Sequence, residues 1–298
     1  MNRNETDLSY FIRLHNENSV GTPSHTRDKW DRRAERWEKE YNAAGIDTPN
    51  DRVGSAADYL RSRGLLGPDC DVADIGCGPG RFAAAFAETA RSVTGFDLSE
   101  RMIHYAAEHV KRLGLDNVSF RVCDFQTLDI EAEGLAGRFD LVFSSVTPAI
   151  HGMNGLEKIM KMSRAFCCDI THISSENDLE SRIMRELFRR ERPRLWDGRW
   201  LYSLFNVLFL SGYCPEVTYY QREKKCRVRP DLAYAERFME QMLPTGERTE
   251  KNAARICDWL RENADADGLV EEVSNTLYGR TLWDVRMKTE RPDYRPAE

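Results

Sequence analysis

The alternation of hydrophobic and polar positions between residues 53 and 173 predicts short buried strands separated by amphipathic helices. The first repeat of this pattern is a buried strand at residues 72–75, a turn with three glycines and a helix at residues 81–91. Segments rich in β-branched and aromatic residues predict later strands at residues 118–125, 138–145 and 165–173. Strands that alternate with helices form βαβ units, so we expect one mainly parallel sheet.

The rest of the chain predicts helical additions around that sheet. An N-terminal helix at residues 28–42 carries four apolar side chains along one face: Trp30, Ala34, Trp37 and Tyr41. Beyond the fifth strand we predict helices at 176–192, 201–211, 231–242 and 250–263, and strands at 216–228 and 274–286. We therefore divide the chain into an N-terminal helical extension, residues 1–50, and a main domain, residues 51–298, with helical additions at 174–215 and 231–265.

Composition narrows the class of protein. A chain of 298 residues can bury a substantial core, and its net charge of −6 argues against a nucleic-acid partner, which normally requires a basic surface. No apolar run is long enough to cross a membrane. The eight cysteines lack metal-type spacing, so we expect no metal site. Adjacent Cys167 and Cys168 point to opposite faces of a strand, which disfavours joint thiol or arsenical chemistry. With no signal peptide, we expect a cytoplasmic location.

The most informative motif is the run Asp74-Ile75-Gly76-Cys77-Gly78-Pro79-Gly80. Its glycine spacing is G-x-G-x-G, whereas the dinucleotide fingerprint is G-x-G-x-x-G, with a pyrophosphate at the helix N-terminus. The carboxylate of Asp74 repels a pyrophosphate but suits a ligand that carries an ammonium and a sulfonium group. S-adenosylmethionine is such a ligand. The alternatives are a structural turn and the site of a nicotinamide-dependent oxidoreductase.

The glycine run, together with Asp97 at the end of the next strand, resembles the first two motifs of class I S-adenosylmethionine-dependent methyltransferases. The resemblance implies a Rossmann-like, seven-stranded mixed sheet whose last strand is antiparallel beside the fifth, with helices on both faces. It implies that the N-terminal extension acts as a lid. It also implies S-adenosylmethionine as cofactor and S-adenosylhomocysteine as product.

The same resemblance assigns roles around the cofactor. The glycine loop would pass under its methionine part and ribose, Asp97 would take both ribose hydroxyls, and Asp124 would bind the adenine amino group. Cys123 and Phe125 would flank the adenine ring. The full set of predicted cofactor-binding residues is Asp74, Gly76, Cys77, Gly78, Gly80, Asp97, Leu98, Met102, Cys123, Asp124, Phe125 and Ser144.

Candidate residues for the acceptor follow the fourth and fifth strands, because open α/β sheets bind ligands at carboxyl strand ends. His151, in the loop beyond Ser144 and Ser145, is our first candidate for a general base, since an imidazole titrates near neutral pH. A purely structural role for this histidine is the alternative. His172, at the end of the predicted fifth strand, is the second candidate. The possible walls of the pocket are Trp30, Tyr41, Arg199 and Tyr202.

We therefore predict methyl transfer from S-adenosylmethionine to a small-molecule acceptor by in-line displacement. The acidic composition and the absence of an Arg/Gly tract or basic arm favour a small acceptor over RNA or protein. A basic run at residues 189–194 is either a contact for an anionic substrate or a solvated helix end. A cofactor-binding regulatory module without catalytic activity is the remaining alternative. The chain could also form a homodimer.

Overall fold

The computed structural model describes residues 6–18, 26–44, 51–292 and 294, without side-chain detail for residues 18, 36–44 and 51. Its seven strands form one sheet in the order β3-β2-β1-β4-β5-β7-β6. The strands are β1 (Asp71–Ile75), β2 (Ser92–Asp97), β3 (Val118–Val122), β4 (Phe139–Ser145), β5 (Ser163–Asn177), β6 (Glu216–Val228) and β7 (Val270–Asp284). Strands β3, β2, β1, β4 and β5 are parallel, and β7 is antiparallel beside β5. The predicted fold class is confirmed.

Ten α-helices lie in the described part of the chain. They are α1 (Asp7–Asn18), α2 (Arg27–Ala44), α3 (Asp51–Ser62), α4 (Arg81–Ala87), α5 (Glu100–Arg112), α6 (Gly152–Met162), α7 (Asp178–Phe188), α8 (Arg199–Leu210), α9 (Leu232–Met242) and α10 (Glu250–Glu262). A 3-10 turn, Pro148–Ile150, connects β4 to α6. None of the described helices is both long and apolar enough to cross a membrane.

The chain separates into two compact units. The first consists of Met1–Thr171, Arg199–Thr218 and Gly279–Glu298, and the second consists of His172–Gly198 and Tyr219–Tyr278. Strands β5, β6 and β7 therefore contribute residues to both units. The predicted addition at residues 174–215 is divided: α7 belongs to the second unit and α8 to the first.

The core of the first unit is built on both faces of the sheet. One apolar cluster joins side chains of α1, α6 and α8, such as Phe11, Leu156 and Leu204, to β1, β4 and β5. On the other face, the rings of Phe82 and Phe86 in α4 each lie 4.9 Å from the ring of Phe143. Strand β1 is buried along nearly its whole length because helices cover both faces.

The second unit has its own core. Helices α7, α9 and α10 bury a cluster that includes Ile183, Phe238, Ile256 and Leu260, together with Val270 of β7. Beneath it the carboxylate of Glu272 accepts hydrogen bonds from Asn177 at 3.0 Å and from Tyr234 at 3.2 Å. This unit contains α9 and α10, the two helices predicted between strands six and seven, and also α7.

Several element ends differ from the sequence-based prediction. Helix α4 ends at Ala87 rather than residue 91, because the Arg91 N–H bonds to Cys70 O and starts the next strand. Strand β5 runs on to Asn177, whose side chain accepts from Glu180 N–H and starts α7 there, not at residue 176. Helix α1 was not predicted. Ser99 caps α5, and its side chain accepts from Met102 N–H.

Substitution of two helical glycines by alanine should have opposite effects on the stability of the fold. A Cβ at Gly54 in α3 meets nothing within 4 Å, so Gly54→Ala should stabilise the fold by about 0.5–1 kcal/mol through helix propensity. A Cβ at Gly155 in α6 would lie 2.3 Å from the backbone carbon of Ile150. Gly155→Ala should therefore destabilise the fold by about 1–3 kcal/mol. Urea unfolding of both variants beside wild type measures the difference, and equal effects would contradict the described path of α6.

Candidate active site

The glycine loop that follows β1 takes a backbone path that other residues rarely adopt. Gly76, Gly78 and Gly80 have φ of 69°, 53° and 72°, which is the left-handed region. A Cβ at Gly76 would lie 2.0 Å from Oγ1 of Thr147, in the loop that follows β4. Glycine at this position therefore lets the loops after β1 and β4 touch.

Gly80 joins the loop to the helix behind it. It stands immediately before α4, and a Cβ there would lie 2.8 Å from the Cβ of Ala106 in α5. Gly95 in β2 is equally close to its surroundings, because a Cβ would lie 2.9 Å from Sγ of the buried Cys77. The loop is thus enclosed by α5 on one side and β2 on the other.

Asp74 is a buried carboxyl at the base of this loop. Its side chain is 1% exposed, and within the described part of the chain its Oδ2 has no hydrogen-bond partner. Burial first, and then the charge of Asp97, raise the pKa of Asp74 from its usual value to about 7, against the opposing effects of the Ala83 N–H and Arg52. A buried polar atom without a partner points to a ligand or a water that supplies one. The site therefore fits a cationic group beside Asp74.

Asp97 holds the glycine loop and keeps capacity for a ligand. Its Oδ2 accepts from Gly78 N–H at 2.8 Å and its Oδ1 accepts from Ser99 N–H at 2.9 Å. The backbone N–H of Leu98 also favours the ionised carboxylate, so one of its four lone pairs remains for a ligand hydroxyl. Burial raises the pKa of Asp97. Of the neighbouring predicted contacts, Leu98 is half-buried and Met102 is buried.

The segment after β3 lies beside Asp97. The Cys123 N–H donates to the backbone oxygen of Asp97 at 2.8 Å. The half-buried Cys123 therefore lies next to Asp97, the residue predicted to bind the ribose. Asp124 is exposed, and its Oδ1 accepts from Gln126 N–H at 3.0 Å. Phe125 is buried. The three residues predicted to surround an adenine thus begin where β3 ends, one residue past Val122.

Helix α2 contacts the N-terminus of α5 close to Asp97. The Asp31 carboxylate accepts from the Ser99 hydroxyl, and Glu35 pairs with Arg101. Arg27 pairs with Glu100 at 2.8 Å. These contacts place α2 next to the predicted cofactor residues, and its action as a lid stays a prediction.

On the acceptor side, strand register brings a serine and a carboxyl together. Ile75 pairs with Ser144 and Ser144 pairs with Asp169, so the carboxyl ends of β1, β4 and β5 lie in one row. The Ser144 hydroxyl donates to Asp169 Oδ1 at 2.7 Å, and Trp200 Nε1 donates to Asp169 Oδ2 at 3.0 Å. Burial raises the pKa of Asp169 to about 6 against these two bonds. Ser144 was predicted, whereas Asp169 and Trp200 were not.

His151 stands just after the loop that touches Gly76. It precedes α6, its backbone oxygen accepts from Gly155 N–H at 3.1 Å, and Gln126 Nε2 donates to it at 3.4 Å. Val146, between β4 and this loop, has φ of 51°, a strained conformation for a β-branched residue. Backbone strain of this kind concentrates at functional sites. His151 therefore lies in a loop of the first unit that hydrogen bonds anchor.

A second histidine, which the sequence did not indicate, lies close to His151. His15 of α1 is fully buried, and its pKa is lowered to about 4 by burial and by the charge of His151. Its ring centroid lies 4.4 Å from that of Trp200. Nothing in the sequence places residue 15 beside residues 151 and 200, since only the fold joins α1 to α8.

His172, the second candidate base, lies in the second unit. Its ring stacks on Trp196 at 4.9 Å and lies 4.9 Å from the ring of Tyr278, which stacks in turn on Tyr220. His172 thus packs within a row of four aromatic rings: Trp196, His172, Tyr278 and Tyr220. A role in catalysis stays a prediction that these contacts do not favour.

The predicted pocket walls are dispersed. Trp30 of α2 lies under the guanidinium of Arg33, and Tyr202 of α8 is exposed with its ring edge against Phe11. Arg199 begins α8, and the side chain of Tyr41 lies outside the described residues, as does that of Trp37.

Two of the four arginines in the basic run at residues 189–194 pair with acidic groups. Arg192 forms a buried ion pair with Glu180 at 2.6 Å, and Arg190 pairs with Glu247. These contacts favour a structural role for the run within the second unit over a contact for an anionic substrate.

The described residues contain neither a disulfide bond nor a metal-binding cluster. All eight cysteines are free thiols. Among the described residues, no cluster of three or more histidine, cysteine, aspartate or glutamate side chains could hold a metal ion.

Comparison with known proteins gives matches over part of the chain. Residues 66–193 match the model of a family described as a methyltransferase domain. A segment of 59 residues is 42% identical to protein-L-isoaspartate O-methyltransferase 2 of Syntrophobacter fumaroxidans, covering 20% of this chain and 24% of that protein. A segment of 71 residues is 35% identical to a ubiquinone biosynthesis O-methyltransferase of Coxiella burnetii, covering 24% and 28%. The chain thus spans about a quarter of the length of these relatives.

Among solved structures, the chain is similar to the magnesium protoporphyrin IX methyltransferase of Synechocystis PCC 6803, determined with bound SAH. The two share 13% sequence identity with a TM-score of 0.47, over 84% of this chain and 97% of the other.

The raised pKa of Asp74 predicts a specific dependence of stability on pH. Because the folded-state pKa of about 7 exceeds the usual unfolded value near 4, the folded protein binds more protons between those limits. This group therefore stabilises the fold at low pH and loses that contribution as pH rises from about 4 to 7. Asp74→Asn should flatten the slope of unfolding free energy by up to about 1.4 kcal/mol per pH unit.

Denaturant unfolding at several pH values measures this slope. Asp169→Asn is the matched comparison, because it removes a second buried carboxyl whose pKa is raised to about 6. It should flatten the slope of unfolding free energy in the same direction as Asp74→Asn, but over a narrower pH range. A wild-type slope between pH 4 and 7 that Asp74→Asn leaves unchanged would refute the assignment of a neutral, buried Asp74.

Proposed function

We propose that this chain, which carries a methyltransferase domain of the S-adenosylmethionine-dependent class, transfers a methyl group to a small-molecule acceptor. The observation that carries the proposal is the contact between Gly76 and Thr147. Through it, the loop that suits the methyl donor touches the loop that leads to His151. Donor-side and acceptor-side residues therefore meet within the first unit.

The residues of the donor side fit the cofactor by their chemistry. Asp97 keeps a lone pair for a ribose hydroxyl beside its three backbone N–H partners, and the glycine loop leaves room for close approach of a ligand. Asp74, neutral or half-ionised near pH 7, becomes fully ionised beside a cationic group. When bound, S-adenosylmethionine supplies a sulfonium methyl that needs little further activation.

The chain's own task is then to hold the acceptor and to remove its proton. An acceptor hydroxyl, amine or thiol loses a proton when it is methylated, and we assign the removal of that proton to His151, which precedes α6. Ser144 and Asp169 line the carboxyl ends of β4 and β5 beside that loop. Because these two side chains are bonded to each other, they orient their surroundings instead of titrating freely.

Burial and charge support a small acceptor. Ser144 and Asp169 are 1% and 2% exposed, so this end of the sheet admits a compact ligand more readily than a folded macromolecule. The net charge of −6 disfavours RNA. The partial relatives include a protein methyltransferase and an enzyme of ubiquinone biosynthesis, so the acceptor class rests on burial and charge.

The donor assignment is tested by calorimetric titration with S-adenosylmethionine and S-adenosylhomocysteine. Wild type should bind both, and Asp97→Asn should weaken each by about 1.5–3 kcal/mol, because it removes charged hydrogen bonds to the ribose. Asp97→Asn keeps one oxygen for the backbone N–H groups of the loop, so its fold is preserved better than that of Asp97→Ala.

Asp116→Asn is the matched control, since Asp116 is an exposed carboxyl between α5 and β3 and should leave affinity unchanged. Failure of wild type to bind either compound would refute the enzymatic proposal. Binding of a nicotinamide dinucleotide instead would support the oxidoreductase alternative. Tight binding without transfer to any acceptor class would support a regulatory module.

The acceptor class is tested with a radiolabelled methyl donor in a cell extract that is then separated by size. We expect label in the small-molecule fraction, and a loss of about 10²–10⁴-fold in its rate of incorporation for His151→Ala with unchanged cofactor affinity. His104→Ala, on the exposed surface of α5, controls for loss of an imidazole. Label confined to RNA or protein would contradict the small-molecule assignment.

A further inference from the structure

A glutamine that follows β3 contacts the loop that leads to His151. The side-chain amide of Gln126 donates through Nε2 to the backbone oxygen of Ala149 at 2.7 Å and to that of His151 at 3.4 Å. Ala149 lies in the 3-10 turn between β4 and α6, and His151 is the last residue before α6. One side chain therefore joins the segment after β3 to the loop that carries the candidate base.

The partners of this amide fix its orientation. Backbone oxygens only accept hydrogen bonds, so the amino group of Gln126 must face Ala149 and His151. On its other side, Oε1 of Gln126 accepts from Nδ2 of Asn154 at 2.9 Å, and the same Nδ2 donates to the Gln126 backbone oxygen at 3.0 Å. Both ends of the amide therefore have partners of the correct kind.

The backbone of Gln126 is held as well. Nζ of Lys158 in α6 donates to the backbone oxygen of Phe125 at 3.0 Å and also to that of Gln126. The Gln126 N–H donates to Oδ1 of Asp124 at 3.0 Å, so it orients the carboxylate that is predicted to bind the adenine amino group. Gln126 thus contacts this carboxylate through its backbone and the loop of His151 through its side chain.

The loop between β4 and α6 is therefore held at two points. Thr147, near its start, touches Gly76 of the glycine loop, and the same hydroxyl accepts from Ala149 N–H at 3.1 Å. Gln126 holds the later part of the loop. The glycine loop and the segment at 123–125 are both predicted to contact the cofactor, so a ligand that restrains them also restrains the loop between them.

We propose that Gln126 is a positioning residue for methyl transfer, which couples occupation of the donor site to the placement of the His151 loop. This inference rests on the proposed function. Asp124, once restrained by an adenine, holds the backbone of Gln126, and the amide of Gln126 then holds the backbone of Ala149 and His151. Gln126 itself touches no reacting atom and exchanges no proton.

Two substitutions remove the donated bonds in different ways. Gln126→Glu keeps the shape and the acceptor for Asn154, but a carboxylate cannot donate to Ala149. Gln126→Met has a similar length, cannot donate and carries no charge. Both variants keep the backbone N–H that contacts Asp124. Gln241→Glu, at an exposed position of α9, is the matched control for the added charge.

The primary readout is amide hydrogen exchange of the full-length protein, followed by NMR at Ala149 and Gly155. The N–H groups of these residues are bonded within the loop and in the first turn of α6. Without ligand, both Gln126 variants should exchange these amides about tenfold faster than wild type, because a backbone oxygen loses its partner. The Met102 N–H in α5 should keep its rate in every variant, and Gln241→Glu should match wild type throughout.

The ligand arm of the experiment separates coupling from a purely structural anchor. Saturating S-adenosylhomocysteine should slow both amides about tenfold in wild type and less than about twofold in the Gln126 variants. Its affinity, measured by calorimetry, should stay within about twofold of wild type, because openings of the loop are rare in the folded protein. With an acceptor from the labelling experiment, both variants should lower kcat about tenfold and leave KM for S-adenosylmethionine unchanged.

Equal exchange in wild type and both variants would overturn the inference. Equal slowing by S-adenosylhomocysteine would overturn it too, since Gln126 would then be a structural anchor only. An effect in Gln126→Glu without one in Gln126→Met would trace to the added charge and would likewise contradict the coupling. Failure of wild type to bind S-adenosylhomocysteine would refute the proposed function alone, and exchange without ligand would still decide whether Gln126 holds the loop.

Discussion

The close approach of Gly76 to Thr147 is the constraint on which the site depends. A side chain at residue 76 would overlap Oγ1 of Thr147, so only glycine lets the loops after β1 and β4 touch. The same Thr147 hydroxyl accepts from Ala149 N–H and starts the 3-10 turn that leads to His151. One contact therefore sets the distance between the glycine loop and the loop that carries the candidate base His151. Val146, the first residue after β4, takes a left-handed φ, which costs conformational energy at the start of that second loop.

Around this contact the first unit largely removes four ionisable groups from water: Asp74, Asp97, Asp169 and His15. Asp97, Asp169 and His15 each have hydrogen-bond partners, which lowers the penalty of removing them from water. Asp74 differs because one of its oxygens has no partner among the described residues. The four groups therefore divide into three that organise the site and one that is poised to receive a ligand. This division follows from hydrogen bonding and would not be visible from burial alone.

The sequence could predict that the proposed donor-side residues lie together, because they are close along the chain. Asp74, the three glycines, Asp97 and the segment at 123–125 lie within about fifty residues, on consecutive βαβ units whose strand ends must meet at one edge. Local physics, namely the positive φ of glycine and the pairing of parallel strands, is enough to bring them together.

The acceptor side could not be predicted in the same way. His15, Trp200 and Ser203 come from helices that no local pattern assigns to the strand ends at Ser144 and Asp169. Helix α1 has a mixed sequence in which His15 looks like any polar residue. His172, by contrast, ends its predicted strand in a suggestive place, yet β5 continues past it and aromatic rings surround it in the second unit. Sequence spacing located the strand correctly but could not show how far it runs.

Hydrogen bonds run from Ser144 through Asp169 to Trp200, and the ring of Trp200 contacts His15, which helps to hold α1 in register. Apolar contacts such as those of Phe11 and Ile12 would tolerate a shift of one turn along α8, since neighbouring turns present similar surfaces. The bond between His15 and Ser203 exists in one alignment only, and so does the ring contact with Trp200. A shift would leave a buried imidazole and a buried hydroxyl without their partners, which costs about 1–3 kcal/mol for each group. The buried polar groups therefore specify one alignment of α1 on α8.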